Sequence, residues 1–212
     1  MNKLIELKGI SKSYDGEVVL DHIDLDIHDH EFMTLLGPSG CGKTTTLRII
    51  GGFVSPDEGE VLFDGAKIND LPPYKRHVNT VFQKYALFPH LNVFENIAYG
   101  NPNATLEDVK RVAKMAKIDH FIEQLPQGYD TVLLENGGNI SKGQKQLMTI
   151  ARAMLLDANM LILDEATSNV DTRTEHRIQQ AMRTLMEGKT CFVIAHRLST
   201  IQSADNILVL DG

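Results

Sequence analysis

The sequence predicts an α/β fold: a mainly parallel sheet flanked by helices, with an N-terminal antiparallel β part and an inserted α-helical part. Three patterns predict it. Polar and apolar residues alternate over positions 22–27, which is typical of a half-buried antiparallel strand. Apolar residues recur at helical spacing within positions 93–125. From position 160 onward, short apolar strands alternate with helices, which indicates a parallel sheet.

The order of these elements fits a single domain over residues 1–212. We expect its core to comprise residues 1–83 and 157–212, and its helical part to comprise residues 84–156. The core strands that we expect after the N-terminal ones lie at residues 32–36, 60–65 with a turn, 78–82, 160–163, 191–195 and 207–210. The core helices that we expect lie at residues 43–50, 172–186 and 197–203.

Composition restricts the class of partner. The 212 residues are 42% apolar and 23% charged, which is ordinary for a globular protein. The formal net charge of −7 argues against a nucleic-acid partner held by phosphate contacts. Cys41 and Cys191 lack a metal-binding spacing and fit a reducing cytosol. Without a run of ~20 apolar residues or a signal-peptide core, we expect a soluble chain that reaches a membrane only by docking to another protein.

A glycine-rich loop is the strongest motif. Residues 37–44 match G-x-x-x-x-G-K-[ST] between a buried strand and a helix, so we predict a P-loop NTPase fold. Glycines let several N–H groups face one anion, and the following helix adds its positive dipole end. Lys43 would reach the β- and γ-phosphates, and Thr44 would offer its hydroxyl to Mg²⁺. The predicted nucleotide site consists of Gly37, Pro38, Ser39, Gly40, Cys41, Gly42, Lys43, Thr44 and Thr45.

The loop motif and Cys41 each have an alternative interpretation. A chance glycine loop is the alternative to a phosphate site, and the strand before and helix after the motif argue against it. We expect Cys41 to fill space in the loop, because nothing nearby in the sequence resembles a base that would activate a thiol.

Two acids follow the apolar strand at residues 160–163. In a P-loop protein an acid at the end of a buried strand can hold the water shell of Mg²⁺, which is the role predicted for Asp164. The next residue, Glu165, would polarise the attacking water. The alternative is that both acids only cap the following helix, where acids are common. Their pairing with the upstream phosphate loop favours the catalytic interpretation.

A second motif selects a family among P-loop proteins. Residues 140–144, Ile-Ser-Lys-Gly-Gln, resemble the L-S-G-G-Q signature of ATP-binding cassette (ABC) ATPases, about twenty residues before Asp164 and Glu165. The motif opens a helix, so it is a second candidate anion site at a helix N-terminus. A lysine stands where the family has its first glycine and adds positive charge there. The signature residues, which in the family act on ATP held by a second chain, are Ser141, Lys142, Gly143 and Gln144.

Four further positions match the same family. The resemblance implies that Gln83 senses Mg²⁺ and the attacking water, and that Asp171, with Asn169 and Val170, forms the D-loop. It also implies two contacts with ATP: the switch histidine His196 would contact the γ-phosphate, and Tyr14 would stack on adenine. Each has an ordinary alternative, such as a loop amide, a helix-cap neighbour or a surface aromatic. The implied catalytic residues are Glu165, His196 and Gln83, and the implied metal-binding residues are Thr44, Gln83 and Asp164.

The two halves of the chain resemble different branches of the family. Residues 1–96 are similar to spermidine/putrescine-type import ATPases, and residues 97–212 are similar to exporter cassettes. We hypothesise a join, natural or engineered, near residues 95–97; the competing interpretation is one natural protein of an intermediate branch. The chain ends at Gly212, where family members continue, so we expect a trimmed or minimal cassette. The cues are residues 37–52, 71–76 and 85–90 for importers, and 99–101, 125–130, 135–138, 164–168 and 195–200 for exporters.

The resemblance implies binding and hydrolysis of Mg·ATP by the nucleotide-binding domain of an ABC transporter. In the family such domains work as head-to-tail homodimers or heterodimers, and transmembrane domains dock on the helical part at the inner face of the cell membrane. ABC ATPases that act on DNA or ribosomes are rivals, but they carry a long coiled-coil insertion or tandem cassettes. A further alternative is a chimeric or trimmed cassette that binds nucleotide with little or no coupled activity.

Overall fold

The structure, a computed structural model, describes residues 2–81, 87–134, 139–164, 170–194 and 201–210. The strands are β1 (Lys3–Tyr14), β2 (Glu17–His28), β3 (Phe32–Leu36), β4 (Glu58–Phe63), β5 (Ala66–Lys67), β6 (Val78–Val81), β7 (Met160–Asp164), β8 (Thr190–Ile194) and β9 (Asn206–Val209). The helices are α1 (Lys43–Ile50), α2 (Val93–Ala98), α3 (Leu106–Met115), α4 (Asp119–Glu123), α5 (Lys142–Leu156) and α6 (Thr172–Met186).

These elements form two compact units. The first unit holds the described residues of Met1–Thr80, Asn159–Glu165 and Gly188–Gly212. The second holds those of Val81–Ala158 and Ala166–Glu187. All strands except the end of β6 belong to the first unit, together with α1, and helices α2 to α6 belong to the second.

An antiparallel sheet of the first unit has the strand order β2-β1-β4-β5. A two-residue turn joins β1 to β2, and both of its residues, Asp15 and Gly16, have positive φ (50° and 88°). Such turns match the twist of the strands that they join. The turn pairs Tyr14 with Glu17, which places Tyr14 at the end of the hairpin.

A second sheet has the strand order β6-β7-β8-β3-β9. Strand β8 runs parallel to β7 and to β3, and β3 runs parallel to β9. Leu35 on β3 and Asp164 on β7 both pair with Ile194 on β8. These two residues therefore lie at the same level of the sheet, two strand spacings apart, so their Cα atoms are separated by about 10 Å.

Apolar side chains fill the space between these sheets and α1. These side chains come from distant parts of the chain. They pack β3, the strand before the glycine-rich loop, and α1, the helix after it, into one core. The fully buried members include Ile5, Leu7, Ile10, Ile27, Leu35, Ile49, Ile50, Val61, Met160, Ile162 and Phe192.

The second unit is built around α5, whose residues are mostly buried, and which packs against α2, α3 and α6. Four of its helices begin with a side chain that accepts a hydrogen bond from the first turn; these caps are Asn92, Thr105, Ser141 and Asp171. Capping of this kind defines where each helix starts. Within the part of the chain that the structure describes, no helix is long and apolar enough to cross a membrane.

The predicted fold class is confirmed: a parallel sheet with helices and an antiparallel N-terminal β part. The predicted bounds of β3, α1 and α6 agree with the structure. Helix α6 lies in the second unit because it packs against α5, whereas the sequence analysis assigned residues 157–212 to the core. The helix expected at residues 197–203 falls mostly outside the described residues.

Candidate functional site

The loop between β3 and α1 is a backbone turn that only glycine fits at three positions. Gly37, Gly40 and Gly42 have φ values of 151°, 90° and 91°. Side chains other than hydrogen are strained in this region of positive φ. Residues 37–40 are exposed. The sequence pattern had predicted a loop of this kind at residues 37–44.

Two of these glycines are also restricted by their neighbours. A Cβ at Gly42 would lie 2.5 Å from Leu20 Cδ2 and 3.0 Å from the Val19 carbonyl oxygen. A Cβ at Gly37 would lie 2.5 Å from Cys41 Sγ and 2.5 Å from the Leu210 carbonyl oxygen. Strand β2 and Leu210, the residue after β9, thus pack against the loop. Neither contact can be predicted from the local sequence, because both come from distant parts of the chain.

The first turn of α1 offers its N–H groups to a ligand. Gly42 is the N-cap residue, and among the described residues no side chain accepts from this turn. The first donor with a partner inside the helix is Thr46, whose N–H donates to the Gly42 carbonyl at 2.9 Å. The N–H groups of residues 43–45 precede it and have no acceptor within the helix. They form the positive end of the helix, which attracts an anion.

Lys43 lies over the same loop. Its Nζ donates to the carbonyl oxygens of Gly37 (2.8 Å) and Pro38 (2.6 Å) and lies 3.3 Å from Cys41 Sγ. The side chain therefore folds back along the loop instead of extending into solvent. Its charge adds to the positive end of the helix at the position where the sequence predicts phosphates. The thiol of Cys41 packs against Gly37, so it occupies space in the loop.

Oxygen donors for a metal ion lie at the same edge of the sheet. Asp164 ends β7, is partly buried, and lies level with Leu35, one residue before the end of β3. Thr44 is exposed on the first turn of α1. A carboxylate and a hydroxyl are the hard oxygen ligands that Mg²⁺ prefers, so these residues fit that ion chemically. The other predicted members of the site, Gln83, Glu165 and His196, lie outside the described residues.

Tyr14 lies at the end of the β1–β2 hairpin with 42% of its surface exposed. Lys12 Nζ is 5.5 Å from the centre of the Tyr14 ring and bonds Asp57 at 2.5 Å. The Lys12 bond, followed by the Ser13 N–H, lowers the pKa of the Asp57 carboxyl. Leu20 of the same hairpin lies beside Gly42, and the three residues of strand from Glu17, the partner of Tyr14, to Leu20 span roughly 10 Å.

The signature motif begins α5 with a complete capping box. The Gln144 N–H donates to Ser141 Oγ at 3.3 Å, and the Ser141 N–H donates to Gln144 Oε1 at 2.7 Å. Ser141 and Lys142 are exposed, whereas Gly143 is buried. The lysine that departs from the family pattern therefore stands where a side chain has room.

Asp171 is the N-cap of α6. Its carboxylate accepts from the Thr174 N–H at 3.0 Å. This bond, followed by a bond from the Thr174 hydroxyl, lowers the pKa of the exposed Asp171 carboxyl. Val170 precedes it and is partly buried, and Asn169 lies outside the described residues. The structure thus gives Asp171 a capping role, and its predicted role in the D-loop stays a prediction.

Arg76 is a residue of the first unit that the sequence analysis missed. Its guanidinium donates to the carbonyl oxygens of Ile49 and Ile50, both at 2.8 Å, at the C-terminal end of α1. It also donates to the Leu71 carbonyl at 2.9 Å. Partial burial lowers the pKa of Arg76. A cation at this end stabilises the helix whose other end carries the glycine-rich loop, and no local pattern signals a cap 26 residues away.

Arg152, which is partly buried, and the fully buried Asn96 form a polar pair in the second unit. Arg152 Nε donates to the Asn96 carbonyl oxygen at 2.7 Å, and its guanidinium lies 5.2 Å from the Phe88 ring. The Asn96 amide also bonds the backbone of Phe88 in both directions. Burial lowers the pKa of Arg152 to about 10. Residues on both sides of the hypothesised join at residues 95–97 thus share one network.

Comparison with known proteins places these features in context. The family model described as ABC transporter matches residues 20–168. The chain is 46% identical to the ABC transporter ATP-binding protein YfiC of Bacillus subtilis, over 97% of this chain and 34% of that protein. It is 42% identical to the spermidine/putrescine import ATP-binding protein PotA of Acetivibrio thermocellus, over 100% of this chain and 59% of that protein.

Exporters match as well. The ATP-dependent lipid A-core flippase of Desulfotalea psychrophila is 45% identical over 97% of this chain and 36% of its own length. A solved structure of a bacterial Atm1-family ABC exporter with ATP bound has a TM-score of 0.86 and 36% identity, and covers 100% of this chain and 37% of that one. The chain therefore spans about one third to three fifths of these relatives. Importers and exporters match over nearly its whole length, and a join between two halves stays a hypothesis.

Proposed function

The chain belongs to the ABC transporter family and is one of its ATP-binding, ATP-hydrolysing domains, and on that premise we propose that it hydrolyses Mg·ATP as one of a head-to-tail pair of such domains. The observation that carries the proposal is the loop at residues 37–44. Its glycines have the backbone conformations that expose N–H groups, and Lys43 and the start of α1 add positive charge.

Residues of the first unit would hold the nucleotide. The N–H groups of residues 39–45 and the Lys43 ammonium would bind the β- and γ-phosphates, and Tyr14 would stack on the adenine ring. Thr44 and Asp164, with Gln83, would hold Mg²⁺, directly or through its water shell. When bound, Mg²⁺ neutralises the charge that develops on the phosphates. The exposure of the loop and of the Tyr14 ring supports these assignments.

Hydrolysis needs a water molecule aligned with the γ-phosphorus. Glu165 follows Asp164 directly, and we assign it the role of accepting the proton of that water. Gln83 and His196 would orient the water and contact the γ-phosphate. In this mechanism Lys43 stabilises the negative charge that shifts toward the leaving ADP, so its loss should affect both binding and turnover.

A second chain would complete the site. The Ser141 hydroxyl and the N–H groups at the start of α5 would face the γ-phosphate bound by the other chain, with Lys142 adding positive charge and Asp171 near the dimer axis. Since the capping box uses Ser141 Oγ as an acceptor, its O–H stays able to donate to a phosphate oxygen. A charge stabiliser supplied in trans raises the rate of related NTPases by about 10³–10⁵.

We further propose that this pair drives transport. Relatives are named both as an import ATP-binding protein and as a lipid A-core flippase, so a transmembrane partner fits. We expect that partner to dock on the helical part at residues 84–156, mainly through residues 84–100, and to hold the domain at the cytoplasmic face of the membrane. The net charge of −7 agrees with a protein partner and not with nucleic acid.

The decisive experiment measures phosphate release with Mg·ATP over a range of protein concentrations. The rate per chain should rise with concentration, because each site needs two chains. Glu165→Gln should keep Mg·ATP binding, lose nearly all turnover and accumulate as an ATP-bound dimer in size-exclusion chromatography. A rate per chain that is independent of concentration contradicts the paired mechanism, and wild-type turnover by the Glu165 variant removes that residue from it.

A further inference from the structure

Gly143 of the signature motif is a glycine for reasons of space and not of conformation. It is the second residue of α5, it is buried, and it is not among the glycines with positive φ. An alanine could adopt the same backbone, and in a helix it would be favoured over glycine by roughly 0.5–1 kcal/mol. Something outside the helix must therefore exclude a side chain.

The first turn of α6 fills that space. A Cβ at Gly143 would overlap the Thr174 Cγ2 methyl and would lie 3.1 Å from Val170 Cγ1. Both atoms belong to β-branched side chains, which have little freedom to move away. The neighbouring residue Lys142 is exposed and meets no such obstacle. The packing explains why one position of the motif accepts lysine while the next is glycine.

Asp171 determines where the Thr174 methyl points. The Asp171 carboxylate accepts the Thr174 N–H at 3.0 Å and also binds the Thr174 hydroxyl. With the hydroxyl held toward the cap, the χ1 angle of Thr174 is fixed and the methyl faces α5. A chain of contacts thus runs from the cap of α6 through Thr174 to the second residue of α5.

We propose that Thr174 is a positioning residue: its methyl, oriented by Asp171, sets how closely the signature turn packs on α6. This contact joins the first turn of α5, which Ser141 caps, to the first turn of α6, which Asp171 caps. The position of Ser141 and Gln144 relative to Asp171 therefore depends on it. The consequence for catalysis rests on the proposed function, in which the signature turn contacts the nucleotide of a second chain. The packing of Thr174 against Gly143 does not depend on the proposed function.

A double-mutant cycle tests the packing without any activity assay. Gly143→Ala should lower the melting temperature by about 3–10 °C, as overpacking does in a domain of this size. Thr174→Ser removes the obstructing methyl and keeps the hydroxyl, so Gly143→Ala added to Thr174→Ser should leave the melting temperature unchanged or raise it. Thr172→Ser, which removes an exposed methyl from the same helix turn, should rescue nothing.

The outcomes separate clearly. If the double variant melts as low as Gly143→Ala, or if it fails to fold while Thr174→Ser folds, Thr174 does not set the packing and the proposal is overturned. If Gly143→Ala fails to fold and the double variant folds, the proposal is supported.

Phosphate release then tests the positioning role. Gly143→Ala should keep Mg·ATP binding but lose at least about 10-fold in phosphate release, in the range of a displaced catalytic donor. Thr174→Ser should restore most of that rate in the double variant. Restored stability without restored release would show that the nucleotide itself requires glycine, which overturns the positioning role. A wild-type chain that releases no phosphate rejects the proposed function and leaves the stability cycle intact as a test of the packing.

Discussion

Helices α1 and α5 both begin at a lysine inside a motif, yet their first turns are built in opposite ways. Lys43 follows Gly42, an N-cap with φ of 91° and without a capping side chain among the described residues. Lys142 follows Ser141, an N-cap with φ of −71° whose side chain forms a capping box with Gln144. Lys43 folds back onto its own loop, whereas Lys142 is exposed.

The difference shows that a helix start is not an anion site by itself. The capping box satisfies the Gln144 N–H inside the chain, so the first turn of α5 keeps fewer N–H groups for a ligand than the first turn of α1. The α1 turn leaves its N–H groups to a ligand and concentrates a lysine beside them. This contrast supports the proposal that the start of α1 binds phosphates within its own chain, whereas the start of α5 adds a donor to the site of a second chain.

The largest expected effect comes from exchanging the two lysines for alanine. Lys43→Ala should reduce Mg·ATP hydrolysis by about 10²–10³-fold, because it removes the cation held over the loop. Lys142→Ala is the matched control at the first position of α5 and should leave binding to the same chain unchanged. Binding is measured by titration with Mg·ATP and turnover by phosphate release. If both variants lost Mg·ATP binding and turnover to the same extent, the proposed difference between the starts of α1 and α5 would be wrong.

The second effect concerns stability. Gly42→Ala should destabilise the fold by about 2–4 kcal/mol, since a side chain there is strained at positive φ and also meets Leu20 and Val19. Gly40→Ala has the same backbone strain but meets no atom within 4 Å, so about 1–2 kcal/mol is expected. Urea unfolding of both variants measures the difference. A Gly40 variant as unstable as the Gly42 variant would mean that the support from β2 contributes nothing.

The smallest effect is expected at the cap of α5. Ser141→Ala should cost about 1 kcal/mol, the usual value of an N-cap side chain, and lower the melting temperature by about 2–4 °C. Ser141→Asp restores an acceptor and should recover most of that loss. Mg·ATP binding by the single chain should stay unchanged in both variants, and weaker binding in Ser141→Ala would assign α5 a role within its own chain.

Local pattern predicted much of the fold and the motifs. The bounds of β3, α1 and α6 follow from apolar periodicity and flanking glycine or acid residues, and they agree with the structure. Strands β8 and β9 begin one residue earlier than predicted, at Thr190 and Asn206. Strand ends depend on pairing with neighbours, such as Thr190 with Met160, which a single segment does not reveal.

In the candidate site, too, some features follow from the local sequence and others only from tertiary packing. The sequence predicts that Lys43 follows one buried strand and that Asp164 ends another, and the structure places these two strand ends at the same edge of the sheet. The contact of Leu20 with Gly42 and the cap that Arg76 places on α1 could not be predicted, since 22 and 26 residues separate the partners. Such contacts depend on the packing of the whole unit.

The amino-acid order alone predicted the fold class, most core elements, the glycine-rich loop, the signature motif and hence the family, because backbone conformation and helix caps depend on neighbours in the chain. Tertiary structure decided which glycines need space, where Lys43 lies and which methyl group meets Gly143. These features depend on atoms that only packing brings within a few ångströms. A sequence pattern specifies a backbone, but the room beside each Cα is set by distant parts of the molecule.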